Sequence, residues 1–121
     1  MADLTRKRCV PCEGGVDPLS PARVRELLAQ IDGWQAQETV REIWRDFSFP
    51  SFYETMAFVN ALAWMAHHEN HHPDLELGYG HCLVRYTTHA IDGLSENDFI
   101  CAAKVNEIFS SAPAAPPSCS L

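Results

Sequence analysis

The chain has 121 residues, with 16 acidic and 9 basic side chains and a formal net charge of −7 when histidine is neutral. That length predicts one domain, and a hydrophobic fraction of 46% with 21% charged residues argues against a mostly disordered chain. The acidic balance, with few and scattered Lys and Arg, argues against a nucleic-acid partner. No apolar run reaches the ~18 residues of a membrane span, so we expect no membrane partner.

The cysteine content indicates reduced thiols rather than a disulfide scaffold. The five cysteines are an odd number, spread over positions 9, 12, 82, 101 and 119. The N-terminus lacks the apolar core of a secretory signal, so we expect a cytoplasmic protein. Cys9 and Cys12 form a C-x-x-C pair, but no second such pair supplies the other ligands of a zinc site. The pair also lies in a Gly/Pro-rich stretch, whereas a thioredoxin-like motif follows a strand and opens a helix.

Breaker residues divide the chain into three segments. Glycine and proline within residues 1–19 predict a flexible leader. Residues 20–109 carry the periodic apolar pattern and are predicted to form a single domain. Residues 110–121 form an uncharged Pro/Ser/Ala tail, for which we expect disorder.

The domain is predicted to begin with a helix and a strand hairpin. Ser20 can cap a helix whose first residue is Pro21, and Gly33 can end it. Residues 34–49 are rich in β-branched and aromatic side chains, which predicts two strands that turn near residues 37–39.

A long second helix and a second pair of strands are predicted next. Ser51 and Glu54 have the spacing of a capping box, and the amphipathic pattern that follows is stopped by Pro73. Alternation of apolar and polar residues predicts strands over 75–80 and 81–89.

A turn and a last helix complete the domain. The Asp-Gly pair within residues 90–94 predicts the turn, and Ser95 and Asp98 have the spacing that caps a helix. The element order is therefore α-β-β-α-β-β-α. Because hairpins favour antiparallel pairing, we expect an α+β domain of two layers, with a four-stranded antiparallel sheet and three helices on one face.

Histidine is the unusual feature of the composition, because four of the six lie in the hexapeptide 67–72. His67 with His71, and His68 with His72, are four residues apart, so each pair can share a face of the predicted helix end. Imidazole is well matched to proton transfer near neutral pH, so the cluster can supply both a general acid and a general base. The simpler alternative is a polar, solvated helix end.

A zinc-protease motif, H-E-x-x-H, also begins at His68. Pro73 weighs against it, because this proline directly follows His72 and pushes it out of helical geometry. Leu75 and Gly78 also occupy the positions at which the extended motif needs glycine and a third histidine. We therefore expect no metal site, and a zinc hydrolase is the weakest alternative.

His89 lies at the end of the predicted strand 81–89. A strand that ends at a turn can place its last side chain near the end of the preceding helix, which would bring a third imidazole toward His71 and His72. A surface position is the simpler interpretation of one histidine at a strand end.

Several short segments share their order and spacing with one enzyme family. They are His71-His72-Pro73-Asp74, Tyr79, Thr87-Thr88-His89 and Gly93-Leu94-Ser95-Glu96-Asn97-Asp98, together with Gly33-Trp34, Phe47 and Phe49. In this set the chain resembles the pterin-4a-carbinolamine dehydratases, also called 4a-hydroxytetrahydrobiopterin dehydratases. The resemblance covers about residues 19–109.

The resemblance implies a lyase that needs no cofactor. It would remove water from a 4a-hydroxytetrahydropterin to give quinonoid dihydropterin, in support of tetrahydrobiopterin recycling. It implies that His71, His72 and His89 line the pocket and carry the proton transfers. The residues implied to contact the pterin are Trp34, His67, Asn70, Pro73, Thr87, Thr88, Ala90 and Asp98.

Some roles stay open at this point. Asp98 matches an aspartate of the family, but it can equally be only the residue that caps the last helix. Our hypothesis is that His71 protonates the departing hydroxyl and His89 takes the N5 proton. His67 stands where the family often has an acidic residue, so a carboxylate that could orient His71 is missing there.

The resemblance also bears on partners. Animal relatives bridge dimers of a transcription factor, so a non-enzymatic adaptor is the second class of function. Family members form dimers and dimers of dimers, which implies a homodimer or homotetramer here. A sheet with helices on one face fits this expectation, because its other face needs cover.

Overall fold

A computed structural model describes residues 3–11 and 16–111. Within these ranges there are three α-helices and four strands, besides two short 3₁₀ turns. In chain order they are α1 (Pro21–Leu28), β1 (Gln35–Ala36), β2 (Ile43–Ser48), α2 (Phe52–Glu69), β3 (Asp74–Leu77), β4 (His81–Tyr86) and α3 (Glu96–Ser111). No helix in this part of the chain is long and apolar enough to cross a membrane.

The strands form one antiparallel sheet in the order β1-β2-β4-β3. The two sequence-adjacent pairs are hairpin-like, as predicted, and the long β2–β4 pairing joins them, with Ile43 opposite Tyr86 and Ser48 opposite His81. The α+β class and the four-stranded antiparallel sheet with three helices, counted over the described residues, are confirmed.

The core lies between the helices and one face of the sheet. Cys82, Val84 and Tyr86 alternate along β4 and are completely buried, while the residues between them are partly or fully exposed. This alternation confirms the predicted strand period and places the β4 side chains directly against the helical layer.

Local capping signals determine where the helices begin. The Ser20 side chain accepts the Arg23 N–H, with Pro21 in the first turn of α1. Ser51 caps α2 as predicted, since its hydroxyl accepts the Glu54 N–H; the Glu54 carboxylate accepts from the same hydroxyl rather than from the Ser51 N–H of a full capping box. Both predicted starts are confirmed.

The C-terminal end of α2 differs from the prediction. The helix ends at Glu69, and Asn70 adopts the left-handed conformation with φ of 53°. The N–H groups of Asn70 and His71 then close the last turn by donating to the carbonyls of His67 and Ala66. His71 and His72 therefore lie outside the helix. The expectation that His71 shares a helix face with His67 is wrong, whereas the displacement of His72 from the helix agrees with the expectation drawn from Pro73. Asparagine tolerates this conformation, and it ends the helix before Pro73 is reached.

The first residues also differ from the expected flexible leader over 1–19. Residues Leu4–Arg6 form a 3₁₀ turn, and this turn packs on α3 with Leu4 only 5% exposed. Cys9 contacts both α2 and α3 through hydrogen bonds. At the other end, α3 continues to Ser111. Residues 1–2 and 12–15 of the predicted leader and 112–121 of the predicted tail lie outside the described residues.

Candidate active site

The candidate site is centred on His71 and Asp98. His71 follows the left-handed turn at Asn70, and Asp98 lies in the first turn of α3. The Nε2 atom of His71 is 2.6 Å from the Oδ1 atom of Asp98. The Asp98 side chain is fully buried and that of His71 is 12% exposed, so the pair lies at the boundary between core and surface. This is the geometry of a charge-assisted hydrogen bond.

Asp98 accepts hydrogen bonds on both carboxylate oxygens. Its Oδ2 atom accepts the Thr88 hydroxyl at 2.7 Å and the Ser95 N–H at 3.0 Å. The hydroxyl oxygens of Thr88 and Ser95 are 2.8 Å apart. A buried carboxylate is costly without such partners, so these contacts hold Asp98 in place and direct Oδ1 toward His71. Asp98 therefore caps α3 and also bonds a histidine, so it is more than a helix cap.

The ring of Tyr86 packs against one face of His71. The two ring centroids are 5.4 Å apart and the ring planes differ by 8°. Burial raises the pKa of Tyr86 well above its ordinary value of 10.0, and the nearby Cys101 raises it further. Its hydroxyl makes no hydrogen bond of ordinary geometry within residues 3–11 and 16–111. Tyr86 therefore offers the imidazole a neutral, flat surface rather than a charge.

The loop of residues 87–93 carries His89, the third predicted histidine, and also contacts the His71–Asp98 pair. Thr88 and Gly93 bridge the base of the loop, where the Thr88 N–H donates to the Gly93 carbonyl at 2.9 Å. His89 follows Thr88 directly and begins a short 3₁₀ turn at the surface. Since the Thr88 hydroxyl also bonds Asp98, one residue joins the His89 loop to the His71–Asp98 pair.

The other predicted site residues differ in their distance along the chain from His71 and in their exposure. His72 follows His71 directly and is exposed, so chain connectivity places a second imidazole beside the pair. His67 lies one turn earlier, in the last turn of α2. The exposed members of the predicted set are His67, Asn70, His72, His89 and Ala90, whereas Pro73 and Thr87 are partly buried.

Trp34 occupies the core rather than an open surface. It is 6% exposed, and its ring meets Phe47 edge-on at a centroid distance of 6.1 Å. Its indole N–H donates to the Asn106 side chain at 2.8 Å. Trp34 also packs on Tyr86, with the centroids 6.3 Å apart, so it contacts the ring that packs on His71.

The H-E-x-x-H motif does not adopt its metalloprotease geometry. His68 is in α2 while His72 lies beyond the helix end, so the two imidazoles do not share a helix face. Glu69 is buried and engaged elsewhere: it accepts the Cys9 N–H at 2.8 Å and Lys104 at 3.2 Å. Among the described residues, no three His, Cys, Asp or Glu side chains are grouped as metal ligands would be.

Two hollows open on other parts of the surface. One, of about 630 Å³, lies between the N-terminal turn, the segment that follows α1, and α3, and includes Asp32 and Glu107. The other, of about 460 Å³, lies on the open face of the sheet around Trp44 and Arg85. Neither includes His71 or His89 in its lining, so these hollows are separate from the candidate site.

Sequence reasoning missed two members of the site. Tyr86 lies within the predicted strand 81–89 and Ser95 is predicted only as a helix cap, so neither is among the predicted site residues. The available signal is position in the predicted strand 81–89, where Tyr86 precedes Thr88 by two residues and so shares its face. Both side chains are buried, although β4 itself ends at Tyr86. Since Thr88 faces Asp98, the period of two along a strand places Tyr86 beside the His71–Asp98 pair.

Comparison with known proteins identifies the family. The model of the pterin 4 alpha carbinolamine dehydratase family matches residues 17–108. A protein of Nitrosospira multiformis is 56% identical over 88% of this chain and 93% of its own length. A protein of Nitrosomonas europaea is 56% identical over 92% of this chain and 97% of its own length. Both names provisionally assign pterin-4-alpha-carbinolamine dehydratase activity to those proteins.

Two solved structures share the fold of this chain. A crystal structure described as a transcriptional coactivator/pterin dehydratase from Brucella melitensis superposes with a TM-score of 0.72 and 32% identity, covering 76% of this chain and 98% of that one. A pterin dehydratase-like RuBisCO assembly factor of the alpha-carboxysome, at 23% identity and a TM-score of 0.57, covers 66% of this chain and 93% of that one, and shares the fold. From the family model and these relatives, the chain belongs to the pterin-4-alpha-carbinolamine dehydratase family.

Proposed function

We propose that this protein is a hydro-lyase that converts a 4a-hydroxytetrahydropterin to quinonoid dihydropterin by histidine acid–base catalysis. The observation that carries the proposal is the partly exposed His71 bonded to a fully buried Asp98, in a chain of this family. In keeping with the family, we propose that the enzyme works in the cytoplasm to support recycling of tetrahydrobiopterin.

The reaction needs two proton transfers on one ring system. A proton must leave the ring N5 atom, and another must reach the 4a-hydroxyl so that it departs as water. Imidazoles can perform both steps near neutral pH, since each can donate from one protonation state and accept in the other. No redox step occurs, so the proposed mechanism requires no cofactor.

We assign the acid role to His71. Its Nε2 atom faces the Asp98 carboxylate, so the bonded proton lies on Nε2 and Nδ1 is left to exchange a proton with the substrate. Positive charge on the imidazole is stabilised by the adjacent carboxylate whenever the ring is protonated. Asp98 then acts as a positioning residue, because it fixes the tautomer and the ring direction without touching the pterin.

We assign the base role to His89, with His72 as a further histidine of the pocket. Both are exposed and both directly follow a residue of the central network, His71 or Thr88. Asn70, Pro73, Thr87 and Ala90 belong to the same two loops and are the proposed pterin contacts, together with His67. Because the Thr88 hydroxyl bonds Asp98, Thr88 would meet the pterin through its backbone, and Trp34 would act indirectly from beneath Tyr86.

We extend the proposal to a homodimer or homotetramer. Trp44 and Leu83 lie on the sheet face opposite the helices and are partly buried, and Trp64 on α2 is 71% exposed. Apolar surface of this kind favours association with a further copy.

The proposal is tested by the rate at which the purified protein dehydrates a 4a-carbinolamine, followed by ultraviolet absorbance. We expect clear acceleration over the spontaneous reaction, and the same rate after treatment with a chelator. A rate equal to the spontaneous one would contradict the enzyme proposal and leave the adaptor role. Activity lost with a chelator and restored by zinc would instead support a metal-dependent reaction.

A further inference from the structure

Two cysteine thiols lie in contact behind the candidate site. The Sγ atom of Cys9 is 3.4 Å from the Sγ atom of Cys101. Cys101 is in the middle of α3 and is completely buried, whereas Cys9 belongs to the N-terminal segment and is partly exposed. The two residues are far apart in sequence, so the contact exists only in the folded chain.

Hydrogen bonds to side chains of α2 and α3 hold the backbone at Cys9 and Val10. The Cys9 N–H donates to the Glu69 carboxylate at 2.8 Å. Val10 exchanges two hydrogen bonds with the Asn97 side chain, at 3.0 Å for its N–H and 2.6 Å for its carbonyl. These three hydrogen bonds hold the N-terminal segment against α3, and they thereby define the position of the Cys9 sulfur.

We propose that Cys9 and Cys101 are a redox-active pair that forms a reversible disulfide when the protein meets a peroxide. A disulfide needs a sulfur–sulfur distance of ~2.05 Å, so the sulfurs would have to approach by about 1.3 Å. Rotation of the Cys9 side chain, which lies at the surface, can supply most of this movement, while Cys101 stays in the helix.

The chemistry balances with hydrogen peroxide as oxidant. The Cys9 sulfur attacks one peroxide oxygen, the O–O bond breaks, and Cys9 becomes a sulfenic acid with release of one water. The Cys101 sulfur then attacks the Cys9 sulfur, and the hydroxyl leaves with the Cys101 proton as a second water. Two thiols thus lose two electrons and two protons to the peroxide, which is reduced to two water molecules.

The environments of the two thiols indicate the order of these steps. The contact with the Cys9 thiol, followed by burial, strongly raises the pKa of Cys101. The thiolate is the reactive form, so Cys101 is a poor initial nucleophile. Cys9 is the thiol that a peroxide can reach, which makes it the one oxidised first and Cys101 the resolving partner.

The disulfide would attach the N-terminal segment covalently to the helix that carries Asp98. Cys101 lies one turn after Asp98 and is close to Tyr86. The closed loop would span most of the chain, and long loops restrict the unfolded chain strongly. The oxidised protein should therefore be more resistant to unfolding than the reduced one.

Peptide mapping of the full chain after peroxide treatment tests the pair. Under non-reducing conditions we expect one cross-linked species joining the peptides of Cys9 and Cys101, removed by dithiothreitol and absent from Cys9→Ser. Cys12→Ser and Cys82→Ser are the matched controls and should still form it; burial raises the pKa of Cys82 to about 11, so this thiol should stay reduced. A Cys9–Cys12 bond, a link between chains, or two free thiols after treatment would each overturn the proposal.

Thermal unfolding gives an independent readout that does not depend on catalysis. We expect the Tm of the oxidised wild type to exceed that of the reduced form by at least about 5 °C, given a typical stabilisation by a long-loop disulfide. Cys9→Ser, whose site is near the surface and tolerates the change, should show no Tm difference between the two conditions. An equal rise in Cys9→Ser, or no rise in the wild type, would contradict the inference.

Discussion

His71 forms an imidazole–carboxylate pair at 2.6 Å with the fully buried Asp98, and the same chain contains an exposed pair of the same types, His81 and Asp46, at 3.0 Å. The side chains of the second pair are 49% and 56% exposed, on the sheet face away from the helices. Exposed pairs of this kind contribute little because water and salt screen them. The His81–Asp46 pair is therefore a matched control, in the same protein, for experiments on the His71–Asp98 pair.

Replacing Asp98 by asparagine removes the charge but keeps the shape of the side chain. We expect kcat to fall by about 10²-fold, because the His71 tautomer and ring direction are no longer fixed. We expect KM to change little, since Asp98 does not touch the pterin, and stability to fall by about 1–3 kcal/mol. Steady-state dehydration kinetics and urea unfolding measure these effects. Asp46→Asn should leave both close to wild type; equal losses in the two variants would contradict the role of Asp98.

Tyr86 offers a test of the packing surface beneath His71. Tyr86→Phe keeps the ring and removes a hydroxyl without an ordinary hydrogen bond among the described residues, so we expect near-wild-type kcat and a stability change within about 1 kcal/mol. Tyr86→Leu removes the stacked ring, and we expect kcat to fall by about tenfold, the equivalent of ~1.4 kcal/mol. Kinetics of the two variants side by side decide this, and a Phe variant as slow as the Leu variant would implicate the hydroxyl instead.

The environment of Glu69 leads us to expect that the free energy of unfolding depends on pH. Burial opposes its charge, but the Cys9 N–H and Lys104 outweigh it, so the pKa of Glu69 lies below its ordinary value of 4.5. A lowered carboxyl pKa stabilises the fold above the unfolded-state pKa, and this contribution is lost as pH falls through the folded-state pKa. We expect Glu69→Gln to cost about 1–3 kcal/mol at neutral pH, and this difference to shrink below pH 4.5.

Urea unfolding of Glu69→Gln and wild type at several pH values measures this difference. Glu26→Gln is the control, because Glu26 forms an exposed pair with Arg23 on α1. A stability difference for Glu69→Gln that stays constant down to acid pH would show that its charge is not what holds the N-terminal segment.

A substitution of Trp34 distinguishes a role in the hydrophobic core from direct contact with the pterin. Trp34→Phe removes the indole N–H bond to Asn106 and part of the buried area. We expect a loss of stability of about 1–3 kcal/mol with KM for the pterin little changed. Thermal unfolding combined with kinetics measures both. A raised KM in a variant of unaltered stability would instead show that the tryptophan flanks the pterin directly.

Much of the fold could be predicted because its signals are local. The period-two pattern of β4, the capping box at Ser51 and the proline at the start of α1 each predict their element from a few neighbouring residues. The end of α2 could not be predicted in the same way. The helical pattern continues to Pro73, and only the left-handed conformation of Asn70 separates His71 and His72 from the helix.

The site was partly predictable for the same reason. His71 and Asp98 were found by motif, but their contact depends on how α3 packs behind the loop after α2, which no local pattern encodes. The position of residues 3–11 is harder still to predict, because this stretch carries no apolar periodicity. It is held by single long-range bonds, such as that of Cys9 to Glu69.

The most direct test of the central claim is the rate of 4a-carbinolamine dehydration by His71→Gln beside His81→Gln, with folding of both checked by thermal unfolding. We expect His71→Gln to lose at least about 10²-fold in kcat, the further change His89→Gln to bring the rate close to the spontaneous one, and His81→Gln to keep wild-type turnover. A folded His71→Gln protein with wild-type turnover would show that His71 is not the catalytic acid.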